Sequence, residues 1–345
     1  GKIMKVSIIG ATGYGGLELL RLLHQHPHVE IASLHSFSAQ TEDISRFYPH
    51  LHTVYHQALA EIDAVKIAEE SEAVFLATPS GVAKDAAQPF IDAGMKVIDL
   101  SGDFRLSKEG YEKWYNKDAA PDAYLKQAEY GLAEWRTGTD ATFISNPGCY
   151  ATATLLGLAP LVMQDLVEAD SIIVDAKSGI SGAGKTPSEN THFPETNENM
   201  MLYRMNKHQH IPEIMRQLQV WNENIDAITF STSLIPVTRG IFATIYAKSK
   251  TGTTTEELLT LYRESYDGKP FVRIQAQDVY PTLKQVTASN FCDIGLCYNE
   301  RTNMITIVVV IDNLVKGAAG QAIQNLNLMA KFDETAGLDF IPVYP

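Results

Sequence analysis

Lys5-Val6-Ser7-Ile8-Ile9, followed at once by Gly10-Ala11-Thr12-Gly13-Tyr14-Gly15-Gly16, decides the fold of this chain. An apolar, β-rich run that stops at a glycine turn and reopens as a helix from about Leu17 to His26 is the first βα unit of a parallel sheet. Glycines at 10, 13 and 16 let the backbone approach a pyrophosphate, and the helix start offers N–H donors to the anion. A glycine-rich turn alone is a weak signal, but its place between a first strand and a first helix makes it a strong one. Outward from it, Val29–His35, Ala73–Ala77, Lys96–Leu100 and Phe143–Ser145 read as further strands alternating with helical stretches. That alternation predicts an α/β, Rossmann-type, doubly wound parallel sheet over residues 1–148.

The end of the second strand bears on the choice of dinucleotide. A carboxylate there would bond the adenosine 2′-hydroxyl and repel a 2′-phosphate. The segment is His35-Ser36-Phe37-Ser38, with hydroxyls and a histidine but no carboxylate, so NADP(H) is expected over NAD, with Ser36 and Ser38 as candidate contacts. A second loop, Ser178-Gly179-Ile180-Ser181-Gly182-Ala183-Gly184-Lys185, combines glycines, hydroxyls and a cation suited to the cofactor, although an ordinary surface loop has the same composition.

Past a helix expected at 150–164 the pattern changes. β-rich runs at Ser171–Lys177, Ala227–Leu234, Gly240–Ala247 and Met304–Ile311 sit between loops and few helices, predicting a second α+β domain with a mixed or antiparallel sheet. The expected division is residues 1–148 completed by the C-terminal helix 314–345, and 149–313 as the catalytic, substrate and oligomerisation domain.

Composition narrows the function. A chain of 345 residues, 45% apolar, has material for two cores. Its net charge of −13 argues against nucleic acid or an anionic membrane surface as the partner. No apolar run approaches the roughly 18 residues of a membrane span. Three cysteines without disulfide or zinc spacing fit a reducing cytoplasm. The first residues run straight into a strand pattern, so no targeting segment is expected, and Met4 reads as the native start.

Cys149 stands in Ser145-Asn146-Pro147-Gly148-Cys149-Tyr150-Ala151-Thr152, where the last strand stops at Pro-Gly and an Ala/Thr/Leu-rich helix begins. A thiol at a helix N-terminus meets orphan N–H groups and the positive end of the dipole, which favour a thiolate nucleophile. Downstream, Asn206-Lys207-His208-Gln209-His210-Ile211-Pro212-Glu213 carries two imidazoles that an extended segment would turn to one side. One could exchange protons with Cys149 while the other binds substrate. A metal is ranked low, because Glu213 is the only further ligand nearby. Arg105 and Arg239, each after an apolar run, offer guanidinium forks for a carboxylate or acyl phosphate, or could instead pair with a neighbouring carboxylate such as Asp103. Cys292 and Cys297 read as core.

Assembled, these motifs resemble the N-acetyl-gamma-glutamyl-phosphate reductase family and, more widely, aspartate-semialdehyde dehydrogenases and glyceraldehyde-3-phosphate dehydrogenase. The resemblance runs through Gly10–Gly16, Ser101–Leu106, Asn146–Thr152, Ser178–Lys185, His208–Glu213, Pro236–Gly240 and Asp312–Ala322. It implies a glyceraldehyde-3-phosphate dehydrogenase-like fold and NADPH-dependent reduction of a small acyl phosphate in arginine biosynthesis through a cysteine thioester, in a dimer or tetramer. It further implies Cys149 as nucleophile, with His208 or His210 as the acid/base and His208 provisionally preferred. Substrate contacts fall to Arg105, His210, Arg239, Asn146 and Glu213. Cofactor contacts fall to Gly10, Thr12, Gly13, Tyr14, Gly15, Pro79, Ser178, Gly179, Ser181, Gly182 and Asn313. Ser80 stands where the family more often has histidine, Gly102 where alanine is frequent, and Gly15 where threonine is. Two other readings share these residues: a sister reductase for an aspartyl or carrier-borne aminoadipyl phosphate, and a cofactor-sensing protein without catalysis.

Overall fold

The computed structural model describes residues 1–38, 41–138 and 140–345. They divide into two compact units, Gly1–Pro147 with Ala318–Phe340, and Gly148–Gly317 with Ile341–Pro345. The expected boundaries therefore shift at the C-terminus. Residues 341–345 go with the second unit, where Val343 N–H donates to Thr287 O at 3.0 Å.

The first unit is built on an all-parallel sheet of β1 (Met4–Ile9), β2 (Val29–His35), β3 (Leu59–Ala60), β4 (Ala73–Leu76), β5 (Lys96–Asp99), β6 (Glu129–Tyr130) and β7 (Phe143–Ser145), in the order β3-β2-β1-β4-β5-β7-β6. The strand order reverses at β1, the switch point at which doubly wound sheets bind ligands beyond the carboxyl ends of their strands. The runs are continuously apolar because both faces are covered. Ile8, Ile9, Val74, Phe75, Leu76, Val97 and Ile98 are fully buried. Helix α1 (Tyr14–His24) buries Leu19, Leu20, Leu22 and Leu23. It starts three residues ahead of the expected Leu17, because the glycine turn itself supplies its N-terminus.

The second unit carries a mixed sheet of β8 (Ile173–Ser178), β9 (Met201–Tyr203), β10 (Thr229–Leu234), β11 (Ile241–Lys248), β12 (Val272–Ile274), β13 (Cys292–Asn299) and β14 (Met304–Ile311), in the order β12-β13-β14-β11-β8-β10-β9. Only β8–β10 and β12–β13 pair in parallel. Helix α2 (Cys149–Met163) is apolar on every side and buried from Tyr150 to Val162, as a helix crossing a core must be. Pro160 within it removes the donor that Leu156 O would otherwise receive. Helix α3 (His210–Trp221) follows. Helix α4 (Thr255–Ser265) repairs the gap in α2: Tyr266 at its end donates its hydroxyl to Leu156 O, and Tyr262 donates to Gly157 O. Tyr266→Phe should cost about 1–2 kcal/mol. Urea melts read this directly, and an unchanged midpoint would contradict it.

Candidate active site

Within the first unit the glycine turn is fixed from two sides. Gly10 N and Ala11 N donate to His35 O at 2.9 and 3.0 Å, tying the turn to the end of β2. Gly10 has φ +93°, and a Cβ there would lie 2.2 Å from Ala77 O, so only glycine fits. Gly13 caps α1 without a side-chain bond, so the cap residue satisfies none of the first-turn N–H groups through a side chain. Thr12 Oγ1, Ser36 Oγ and Ser38 Oγ form a hydroxyl cluster, at 3.3 Å between the first pair and 2.8 Å between the second.

His35 stands apart from that cluster. Its ring is buried in the sheet, with Nδ1 3.0 Å from both Ala60 O and Glu61 O and Nε2 2.7 Å from Ser33 Oγ. Two carbonyl neighbours require Nδ1 to carry the proton, and burial pushes the ring below its ordinary titration range. Thr78 Oγ1, in the turn after β4, is buried without a hydrogen-bond partner among the described residues. Turn, helix start, hydroxyls and orphaned donor together fit a nicotinamide dinucleotide.

The loop after β5 holds the segment that leads to Cys149. Asp99 O accepts Asn146 N–H at 2.8 Å. Arg105 donates from Nε to Asn146 O and from Nη2 to Leu100 O, both at 2.8 Å. Asn146 itself is fully buried. Its Nδ2 donates to Ala318 O at 3.0 Å and its Oδ1 accepts from Asn325 Nδ2 at 3.1 Å. A side chain engaged in this way holds the backbone ahead of Pro147. Asp99 is also fully buried, and burial followed by the Asp103 charge pushes its carboxyl up to about 7.

In the second unit Cys149 is the first residue of α2, with Gly148 as N-cap. Gly148 N–H donates to Glu213 Oε2 at 2.8 Å, so a buried carboxylate in the first turn of α3 fixes the residue ahead of the thiol. Gly317 packs against the other side, where a Cβ would lie 2.8 Å from Cys149 Cβ.

The segment with the two histidines is not extended. Lys207 lies in a turn, Gln209 is helical at φ −65°, ψ −12°, and His210 opens α3. The turn brings the rings together all the same, with centroids 4.4 Å apart. His208 Nδ1 accepts His210 N–H at 3.0 Å, so the neutral His208 ring carries its proton on Nε2. His210 Nε2 lies directly over Gly148: a Cβ there would sit 2.4 Å from it.

Tyr150, Tyr203 and Phe230 wall in His208, with ring centroids 5.1, 6.0 and 6.1 Å away. The two tyrosine hydroxyls share a 2.7 Å hydrogen bond. Burial raises both, Tyr203 to about 12, so the wall stays uncharged at neutral pH. Sequence reading did not single out either tyrosine. Tyr150 had the signal of adjacency to Cys149, whereas Tyr203 becomes visible only through β9 pairing with β10.

Arg239 is half-buried and pairs with the fully buried Asp312 at 3.4 Å. Asn313 accepts Gly240 N–H on Oδ1 at 2.7 Å and donates from Nδ2 to Ser181 Oγ at 3.0 Å. That amide therefore joins the Ser178–Gly182 loop to the Arg239–Gly240 turn. Gly179 N–H donates to Gly240 O at 2.8 Å, Ser178 and Ser181 are buried, and Lys185 is exposed. Among the described residues no group of three or more His, Cys, Asp or Glu could hold a metal ion. No helix of those residues is long and apolar enough to cross a membrane.

Comparison with known proteins agrees with this anatomy. Residues 5–141 match the family model of the semialdehyde dehydrogenase NAD binding domain, and residues 149–313 that of the semialdehyde dehydrogenase dimerisation domain. Aspartate semialdehyde dehydrogenase II from Vibrio cholerae shares the fold at TM-score 0.72 and 17% identity, over 96% of this chain and 99% of that one. The Candida albicans aspartate semialdehyde dehydrogenase solved with NADP shares it at TM-score 0.68 and 18% identity, over 95% and 99%. The chain is thus an oxidoreductase of the semialdehyde dehydrogenase class. N-acetyl-gamma-glutamyl-phosphate reductase of Listeria monocytogenes serotype 4b is 69% identical over 99% of this chain and all of its own length. That of a Geobacillus strain is 56% identical over the same shares. The chain belongs to the N-acetyl-gamma-glutamyl-phosphate reductase family.

Proposed function

We propose that this enzyme reduces N-acetyl-L-glutamyl 5-phosphate to N-acetyl-L-glutamate 5-semialdehyde and phosphate in arginine biosynthesis, through a thioester on Cys149. The observation that carries the reading is the placement of Cys149 at the start of α2, with Gly148 fixed by Glu213 and covered by His210. The first-turn N–H groups of α2 stabilise negative charge on the sulfur. The thiolate attacks the acyl carbon, the carbon–oxygen bond to phosphate breaks, and phosphate leaves with its electron pair.

With Nδ1 accepting His210 N–H, the neutral His208 ring keeps its proton on Nε2 and hydrogen-bonds with it to the departing phosphate oxygen, which takes its own proton from solvent. After reduction of the thioester the carbon–sulfur bond breaks, the aldehyde is released and Cys149 returns as thiolate. Arg239, held by Asp312, and His210 bind the substrate's anionic groups. Arg105, two of whose donors go to backbone carbonyls, also contacts the substrate.

The glycine turn from Gly10 to Gly16 and Thr12, Tyr14, Ser36, Ser38 and Pro79 hold NADP(H), as do Ser178, Gly179, Ser181, Gly182 and Asn313. When bound, this cofactor supplies the hydride. The hydroxyl cluster without a carboxylate at the end of β2 supports NADP over NAD. Ile173 and Tyr246, register partners on one face of the second sheet, are 41% and 37% exposed and support assembly into a homo-oligomer.

Running the reaction backwards tests the assignment, with N-acetylglutamate semialdehyde and aspartate semialdehyde as rival substrates and NADP, with and without phosphate. Phosphate-dependent NADPH formation confined to the acetylated compound is expected. Turnover of the rival would move the enzyme to the sister branch. Silence on both from folded, NADP-binding protein would favour a carrier-borne substrate or a sensor.

A further inference from the structure

In the first unit, one lysine is built into the turn beside the glycine loop. A Cβ on Gly10 would lie 2.2 Å from Ala77 O and 3.4 Å from Thr78 Cγ2, so the turn after β4 abuts the glycine turn directly. That second turn, Thr78-Pro79-Ser80-Gly81, is clamped by Asp103. The carboxylate is fully buried and accepts Gly81 N–H on both oxygens at 2.9 and 3.0 Å, Lys84 N–H at 3.0 Å and the Tyr111 hydroxyl at 2.7 Å.

A cation is delivered onto this rigid turn. The helix Lys108–Tyr115 ends with Asn116 in the left-handed conformation. Lys117 then runs its stem past Gly81, where a Cβ would lie 3.1 Å from its Cδ, and its Nζ donates to Ser80 Oγ at 2.7 Å. A surface lysine ordinarily keeps its ammonium in water and its rotamers free. Here one of three N–H donors is spent on a neutral hydroxyl, and among the described residues no ion pair takes up the charge. Thr78 Oγ1 in the same turn is buried without a partner, at a typical cost of about 1–3 kcal/mol. In a chain of net charge −13, an anion approaching the glycine turn needs such a placed cation.

We propose that Lys117 is a cofactor-binding residue whose ammonium receives the nicotinamide-side phosphate of the dinucleotide's pyrophosphate. The proposal rests on the reading of the glycine turn as the dinucleotide site. The sheet order selects this phosphate over the 2′-phosphate. β4 flanks β1 on the side opposite β2, so the Ser80 turn and the Thr12–Ser36–Ser38 cluster are two strand spacings apart, about 10 Å. A dinucleotide laid across a switch point places its adenosine over one flank and its nicotinamide half over the other.

The test titrates the full-length wild type and Lys117→Gln with NADPH, NADH and adenosine 2′,5′-bisphosphate, reading heat or protein fluorescence. Dissociation constants for NADPH and NADH should rise by the same factor, about tenfold, leaving their ratio unchanged. The bisphosphate, which has no pyrophosphate, should bind as before, and Lys117→Arg should recover most of the loss. Equal NADPH affinity in wild type and Lys117→Gln would overturn the proposal while leaving the glycine-turn reading intact. So would a loss confined to NADPH and the bisphosphate, which would move Lys117 to the 2′-phosphate. A folded wild type that binds none of the three would overturn both.

Discussion

Cys149→Ser is expected to remove reduction of the acyl phosphate by a factor on the order of 10³ or more, while NADPH still binds. The substitution replaces one atom at the first position of α2 and leaves Gly148, its bond to Glu213 and the packing of Gly317 unchanged. What it removes is a thiol, which ionises far more readily than a hydroxyl. A serine hydroxyl at the same helix end stays protonated and would need a base to take its proton during attack. His208 presents Nε2–H in its neutral form, a donor and not an acceptor, so it cannot serve serine as that base. Steady-state turnover and NADPH titration on the same preparation separate the two effects. Loss of cofactor binding along with activity would make Cys149 a structural residue.

Gly148→Ala should lower kcat/KM by roughly 10²-fold, with a loss of stability of about 1–3 kcal/mol from overpacking. Glycine at this N-cap forgoes the side-chain bond to the helix that serine or aspartate would make, normally worth about 1 kcal/mol. The reason lies in the ring above it: an added Cβ would stand 2.4 Å from His210 Nε2 and 2.5 Å from Cε1. That ring is hemmed in by His208, with centroids 4.4 Å apart, and by Tyr150 at 5.9 Å, so it must move by about an ångström with no clear place to go. Displacements of that size in a positioned group typically cost about two orders of magnitude in rate. Full activity in Gly148→Ala would mean that the reaction does not need His210 where it lies.

What could be read from the sequence was what local chemistry dictates. The glycine turn between β1 and α1 and the Pro-Gly stop ahead of Cys149 each carry their geometry in adjacent residues, so their elements came out within a few positions of the observed ones. Short strands such as β3, β6 and β12 went unread, because two or three residues have no period of their own and become strands only by pairing with distant neighbours.

The site divides in the same way. The cysteine and the two histidines announce themselves by type, but what they do depends on partners far along the chain. Glu213 spends an oxygen on Gly148, Asn146 spends its amide on Ala318 and Asn325, and Arg105 turns to carbonyls. The extended geometry expected for His208 and His210 failed because α3 begins at His210 itself.

The central claim is a thioester on Cys149, and peptide mass spectrometry tests it most directly. The enzyme is mixed with N-acetylglutamyl phosphate in the absence of NADPH, quenched in acid and digested. The account predicts one acyl adduct per chain, mapped to the peptide containing Cys149, absent from Cys149→Ser and discharged by added NADPH. An adduct on Cys292 or Cys297, or none at all under conditions where the enzyme turns over, would contradict it.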